Sequence, residues 1–113
     1  MCKFKKWYAG AEGYVLQCKD CGHVQLAFGT TMLTLGKDDF SIFTEIVASR
    51  VSELTPYRED LKSVVIPTPA SYCQIFLTER ELLSLHRMLQ QADNERAADA
   101  LLELFQVGDS GGV

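Results

Sequence analysis

The sequence predicts an α+β domain with a mostly antiparallel sheet and about three helices packed on one face, in the order β-β-β-β-α-β-β-α-α. Side chains alternate between apolar and polar types in the first third of the chain, and apolar residues recur every three or four positions after Asp38. The length of 113 residues and the hydrophobic fraction of 47% suit one core. We expect one domain over residues 1–106 and a flexible tail over residues 107–113.

Four consecutive strands are predicted before Gly36. Alternation defines the second strand, over residues 14–18, and the third, over residues 23–28. An aromatic-rich first strand over residues 4–8 precedes a loop with two glycines, and a tight turn at Gly29 leads to the fourth strand, over residues 31–35. These short connections predict a meander, in which neighbouring strands run antiparallel.

A period of 3.6 predicts the first helix, which begins near Asp38 and which Pro56 ends. We expect its apolar stripe to face the side of the third strand that carries Val24, Leu26 and Phe28, because both surfaces must be buried. The stripe consists of Phe40, Phe43, Val47, Val51 and Leu54.

The second half of the chain contains two predicted strands and two predicted helices. The strands lie over residues 63–66 and 73–77. Thr78 and Glu81 have the spacing of a capping box, in which each side chain bonds a backbone amide at a helix start. A helix to about Ala92 should follow, and Asp93-Asn94 is expected to separate it from a further short helix.

Charge and motif content exclude several classes of function. The net charge is −4, and binding to a nucleic-acid backbone needs a positive field, so nucleic acid is not the expected partner. No apolar run reaches the ~20 residues of a membrane span, and the basic start lacks the apolar stretch of a signal peptide. P-loop, GxSxG and HExxH patterns are absent. We therefore expect a cytoplasmic protein without catalysis.

The segment Cys18-Lys19-Asp20-Cys21-Gly22-His23 is the most informative motif. Two thiols two residues apart can hold one tetrahedral metal ion, and the glycine lets the backbone turn so that its amides point at the sulfurs. A strand follows the motif, whereas a thioredoxin-like CxxC opens a helix that lowers the thiol pKa. The motif therefore favours a zinc knuckle, which is a metal-binding turn of this type, over a redox pair.

A structural zinc ion needs two further ligands, from among Cys2, His23, Cys73 and His86. If the first two strands fold about Ala11, positions that sum to about 22 face each other, so Cys2 comes to lie beside the knuckle. We predict Cys2 as the third ligand. Cys73 would complete a site of four cysteines and is the predicted fourth ligand, with His23 as the alternative; Cys73 could equally be an ordinary buried thiol.

Short motifs in the first half of the chain carry a family resemblance. They are Gly13-Tyr14-Val15, Cys18-x-x-Cys21, the segment 25–29, Leu33, Asp39-Phe40 and Phe43. The pattern resembles a family of small bacterial proteins, mostly from Bacteroidota, that has no established activity. With less specific motifs in the second half, the resemblance covers nearly the whole chain. It implies a bacterial cytoplasmic origin and transfers no catalytic residue.

The leading hypothesis is a non-enzymatic binding or interaction module with an unidentified protein partner, cross-linked by zinc at Cys2, Cys18, Cys21 and Cys73. The alternative is a thiol redox or metal-handling protein in which Cys18 and Cys21 react. A third possibility, nucleic-acid binding through the basic first hairpin, conflicts with the negative net charge.

Overall fold

The computed structural model describes residues 3–54, 62–69 and 73–111, with side chains up to residue 105. It is an α+β fold with antiparallel sheets, as predicted. In chain order the elements are β1 (Phe4–Gly10), β2 (Gly13–Cys18), β3 (Val24–Phe28), β4 (Thr31–Leu35), α1 (Lys37–Ser52), β5 (Lys62–Pro67), β6 (Gln74–Thr78) and α2 (Glu79–Gly111).

The first four strands form the predicted antiparallel meander, in the order β1-β2-β3-β4. Phe4 pairs with Cys18, which is the register expected from folding about Ala11, and an irregularity between Lys6 and Tyr8 shifts the pairing by one residue nearer the turn. A further backbone bond, in which the Lys19 N–H donates to the Lys3 carbonyl at 2.8 Å, continues this register into the β2–β3 turn.

The last two strands form a separate sheet. β5 and β6 pair antiparallel with each other, whereas the sequence prediction placed all strands in one sheet. Ile66 and Ile75 lie opposite each other and are buried, while their neighbours Val65 and Phe76 face outward. The hairpin thus contributes one apolar face to the core and packs against both helices.

The described residues contain two helices, so the predictions of three helices and of a break at Asp93-Asn94 are wrong; the order is β-β-β-β-α-β-β-α. An i,i+3 ion pair of 2.7 Å between Arg96 and Asp93 spans the expected break. Three alanines follow within residues 97–100, and alanine has the highest helix propensity. Both features favour a continuous helix and oppose the small helix penalty of Asp and Asn. The division into residues 1–106 and a flexible tail stays a prediction.

One hydrophobic core joins all the elements. Three residues of the predicted α1 stripe, Phe40, Phe43 and Val47, are buried in the same cluster as Val24 and Leu26. The other two, Val51 and Leu54, are partly buried, and Leu54 lies beyond the end of the helix at Ser52. The capping box is also present: the Glu81 N–H donates to the Thr78 hydroxyl at 3.0 Å, and the Thr78 N–H donates to the Glu81 carboxylate at 2.9 Å. Neither helix in the described part of the chain has the length and apolar composition that crossing a bilayer requires.

Candidate metal site at the β2–β3 turn

The turn between β2 and β3 is closed by two backbone hydrogen bonds. The Cys18 N–H donates to the His23 carbonyl, and the Gly22 N–H donates to the Cys18 carbonyl, both at 2.9 Å. Gly22 has a φ of +80°, which a residue with a Cβ atom rarely adopts. The glycine after the second cysteine therefore has the conformational role that the sequence indicated.

The two thiols of the turn differ in exposure. Cys18 is 1% exposed, whereas Cys21 lies at the surface. The Cys21 N–H points at the Cys18 Sγ, at 3.5 Å, and His23 Nδ1 lies 3.3 Å from the Cys21 Sγ. Two sulfurs and one imidazole nitrogen thus lie at one end of the first sheet, which is the donor chemistry that zinc prefers.

The other predicted ligands have different positions. Cys2 lies outside the described residues. Cys73 is half-buried just before β6 of the second sheet and packs against the core. Its carbonyl accepts a hydrogen bond of 2.8 Å from the Thr68 hydroxyl. Within residues 3–54, 62–69 and 73–111, no three His, Cys, Asp or Glu side chains form a group that could hold a metal ion. The structure places Cys18, Cys21 and His23 in one turn and brings the Cys21 sulfur and the His23 ring into contact, whereas Cys73 lies beside β6.

A buried side-chain amide, that of Gln17, connects the turn to Trp7, the only tryptophan of the chain. The Trp7 Nε1–H donates to the Gln17 Oε1 at 2.9 Å, and the Gln17 Nε2 donates to the Gly22 carbonyl at 3.1 Å. Gln17 is 8% exposed. Its position in phase with buried Val15 was the signal in the sequence that could have identified it.

Lys19, inside the CxxC motif, contacts α2. Its ammonium lies 3.3 Å from Asp99 and 3.4 Å from Glu103, and Lys5 also pairs with Asp99. Desolvation opposes the charged form of Lys19, but the hydrogen bond to Asp99 and the charge of Glu103 outweigh it and raise its pKa. The hydrogen bond from Lys5 is the main reason that the pKa of Asp99 is lowered.

Both ammonium groups lie over the face of Trp7, at 5.6 Å from the ring centroid for Lys5 and 5.1 Å for Lys19. These distances fall within the ≈ 6 Å range of cation–π attraction. The face of the indole therefore attracts both ammonium groups, while its N–H donates a hydrogen bond to Gln17.

Lys37, the first residue of α1, packs against the turn. A Cβ atom added to Gly22 would lie 3.4 Å from the Cδ of Lys37, so the aliphatic part of Lys37 runs along the turn. A cavity of about 230 Å³ adjoins the same turn, and its walls include the side chains of Phe4, Cys18, Cys21, His23 and Val24.

Comparison with known proteins gives one match. Residues 1–108 match the family described as Family of unknown function (DUF6686). No curated protein and no solved structure matches the chain.

Proposed function

This chain belongs to DUF6686, a family of unknown function, and on that premise we propose that it is a zinc-stapled binding or interaction module without catalysis. "Stapled" means that the metal ion cross-links the β2–β3 turn and so contributes to folding. The observation that carries the proposal is the geometry of the turn from Cys18 to His23.

Three features of the turn support a zinc ion. Zinc–sulfur bonds of ≈ 2.3 Å and zinc–nitrogen bonds of ≈ 2.0 Å at tetrahedral angles place a sulfur and a nitrogen ligand about 3.5 Å apart. His23 Nδ1 and Cys21 Sγ are separated by 3.3 Å. The amide directed at the Cys18 sulfur is a contact of the kind that supports bound thiolates, and the positive φ of Gly22 allows the turn to close.

Cys18 and Cys21 are the two central ligands of the proposal, and Cys2 is the third. Lys3 bonds to Lys19, so Cys2 directly precedes the residue that pairs with the turn. For the fourth ligand, the short distance to Cys21 favours His23 over Cys73, which packs in the other sheet.

An interaction role is supported by the surface of α2. Four large apolar side chains in its last described turns are more than half exposed: Leu101, Leu102, Leu104 and Phe105. Exposed apolar side chains that cluster in this way are typical of surfaces that contact another protein.

Elemental analysis tests the zinc centre. We expect about one zinc ion per chain in protein purified without added metal, and loss of that zinc in Cys18→Ser and Cys21→Ser, each with a lowered melting temperature because metal binding contributes folding energy. Cys73→Ser is the matched control and should keep its zinc, whereas His23→Ala should bind zinc more weakly.

Zinc-free wild-type protein, together with unchanged melting temperatures in the Cys18 and Cys21 variants, would refute the proposal. Rapid alkylation of Cys18 or Cys21 by iodoacetamide at pH 6 in the native protein would instead support the thiol redox or metal-handling alternative, which requires a reactive thiolate.

A further inference from the structure

The distal half of α2, defined as residues 93–105, contacts the rest of the domain without burying an apolar face. Ala92 is the last buried residue of α2 up to residue 105, where the described side chains end, and none of the side chains of residues 93–105 is buried. Most helices in proteins gain their stability from the burial of an apolar face, and a free helix of this length is marginal in water. The docking of the distal half therefore depends on polar contacts.

Those polar contacts come from two lysines, Lys5 on β1 and Lys19 in the β2–β3 turn. Asp99 bonds to both Lys5 and Lys19, and Glu103 pairs with Lys19 at 3.4 Å. Lys19 therefore makes two of these three contacts, and it lies between the two thiols that we propose as zinc ligands.

The position of Lys19 is determined by the turn on both sides. Its own amide bonds to the Lys3 carbonyl, and its ammonium rests on the Trp7 ring, which Gln17 connects to the Gly22 carbonyl. Lys19 and the Trp7 ring under its ammonium are therefore both connected to the turn, so we expect a change in the conformation of the turn to displace Lys19.

We propose that metal binding at the β2–β3 turn controls the docking of the distal half of α2, through Lys19. This inference rests on the proposed zinc centre and adds that zinc binding regulates the position of the distal half. With the metal bound, the turn is fixed and Lys19 holds Asp99 and Glu103. Without it, Lys19 loses its fixed position and its contacts with Asp99 and Glu103, so the distal half opens more often although Lys5 still pairs with Asp99. The half of α2 that ends at Ala92 stays in the core.

The strength of the Lys19 ion pairs suits a reversible change in docking. Lys19 is 40% exposed, and partly exposed ion pairs of this kind are individually weak. Loss of both Lys19 contacts should increase the hydrogen-exchange rate of amides in residues 97–104 by about fivefold, a change that such pairs support. Amides in the core-packed part of the helix, such as those of Leu85 and Leu89, should stay protected.

Hydrogen exchange measured by mass spectrometry tests this coupling in the full chain. Three samples are compared: zinc-loaded wild type, wild type treated with a chelator, and zinc-loaded Lys19→Met, with Lys6→Met as an exposed lysine control on β1. We expect amide exchange over residues 97–104 to be faster in the chelated protein and in Lys19→Met than in the zinc-loaded wild type. Lys6→Met should exchange at the wild-type rate. Trp7 emission should shift in the same two samples.

Lys19→Met is the decisive variant, because it keeps all the proposed ligands even if removal of zinc unfolds the whole protein. Two results would refute the coupling while the zinc centre stands. In the first, Lys19→Met binds zinc and its distal half exchanges as slowly as in wild type. In the second, the chelated wild type keeps its protection at Leu85 and Leu89 and exchanges over residues 97–104 no faster than the zinc-loaded protein. If wild-type protein holds no zinc, the proposed function fails and this inference fails with it.

Discussion

Truncation of Phe43 gives the most direct test of the core. Its side chain is 0% exposed and lies at the centre of the α1 stripe, between Phe40 and Val47, in the cluster that joins both sheets. Replacing a buried Phe by Ala removes its transfer free energy and leaves a cavity, which together typically cost ~3–5 kcal/mol. Because domains of this size have total stabilities of ~5–15 kcal/mol, Phe43→Ala should be poorly folded.

The matched control lies on the same helix. Glu45 is exposed, two residues from Phe43, and Glu45→Ala should change the free energy of unfolding by less than about 0.5 kcal/mol. Glu53→Ala is a second control, because its ion pair with Arg50 is 3.6 Å long and exposed. Chemical denaturation of all three variants measures the difference. Equal losses at Phe43 and Glu45 would mean that the assigned face of α1 is incorrect.

Two further predictions concern polar groups. Gln17→Leu should lower the free energy of unfolding by about 1–3 kcal/mol, because the buried Trp7 N–H loses its acceptor. Gln25→Leu is the control, and both variants are measured by thermal or chemical denaturation. A loss of stability in Gln17→Leu no larger than that in Gln25→Leu would contradict this prediction. The pKa of Glu81 is lowered from 4.5, mainly by the hydrogen bond from Lys62 and then by the Thr78 amide, so its contribution to stability is present above pH 4.5 and is lost as the pH falls below that value. The stability difference between wild type and Glu81→Gln should therefore be larger at pH 7 than at pH 3, and a difference that does not depend on pH would contradict the role of the charge.

Local patterns were sufficient to predict the first sheet and the helix after it. The segments from Phe4 to Leu35 alternate in side-chain type and are joined by short turns, so each strand pairs with the next strand in sequence. The same spacing placed the CxxC motif in a turn. Pairing between strands far apart in sequence is not encoded in this way, which is why the separation of β5 and β6 into a second sheet was not predicted.

The break expected in α2 was wrong for a local reason, whereas the contacts of the site could not be predicted because they depend on long-range structure. Asp93 and Asn94 disfavour a helix only slightly, and the contacts of Asp99 with Lys5 and Lys19 join residues that are 94 and 80 positions apart. Similarly, Cys73 is in phase with buried Ile75, which gave no indication of the sheet to which it belongs. Spacing identified Cys18 and Cys21 because they are neighbours in the chain.

The length of α2 has a consequence for solution measurements of mass. Its 33 residues span about 50 Å, and the molecule measures 58 × 29 × 24 Å. The radius of gyration is 16.1 Å, whereas a compact chain of this length has about 13 Å. A monomer with this axial ratio diffuses more slowly than a sphere of equal mass and elutes early from a gel-filtration column. Calibration with globular standards would therefore overestimate its mass, so light scattering or sedimentation equilibrium is the appropriate measurement of its oligomeric state.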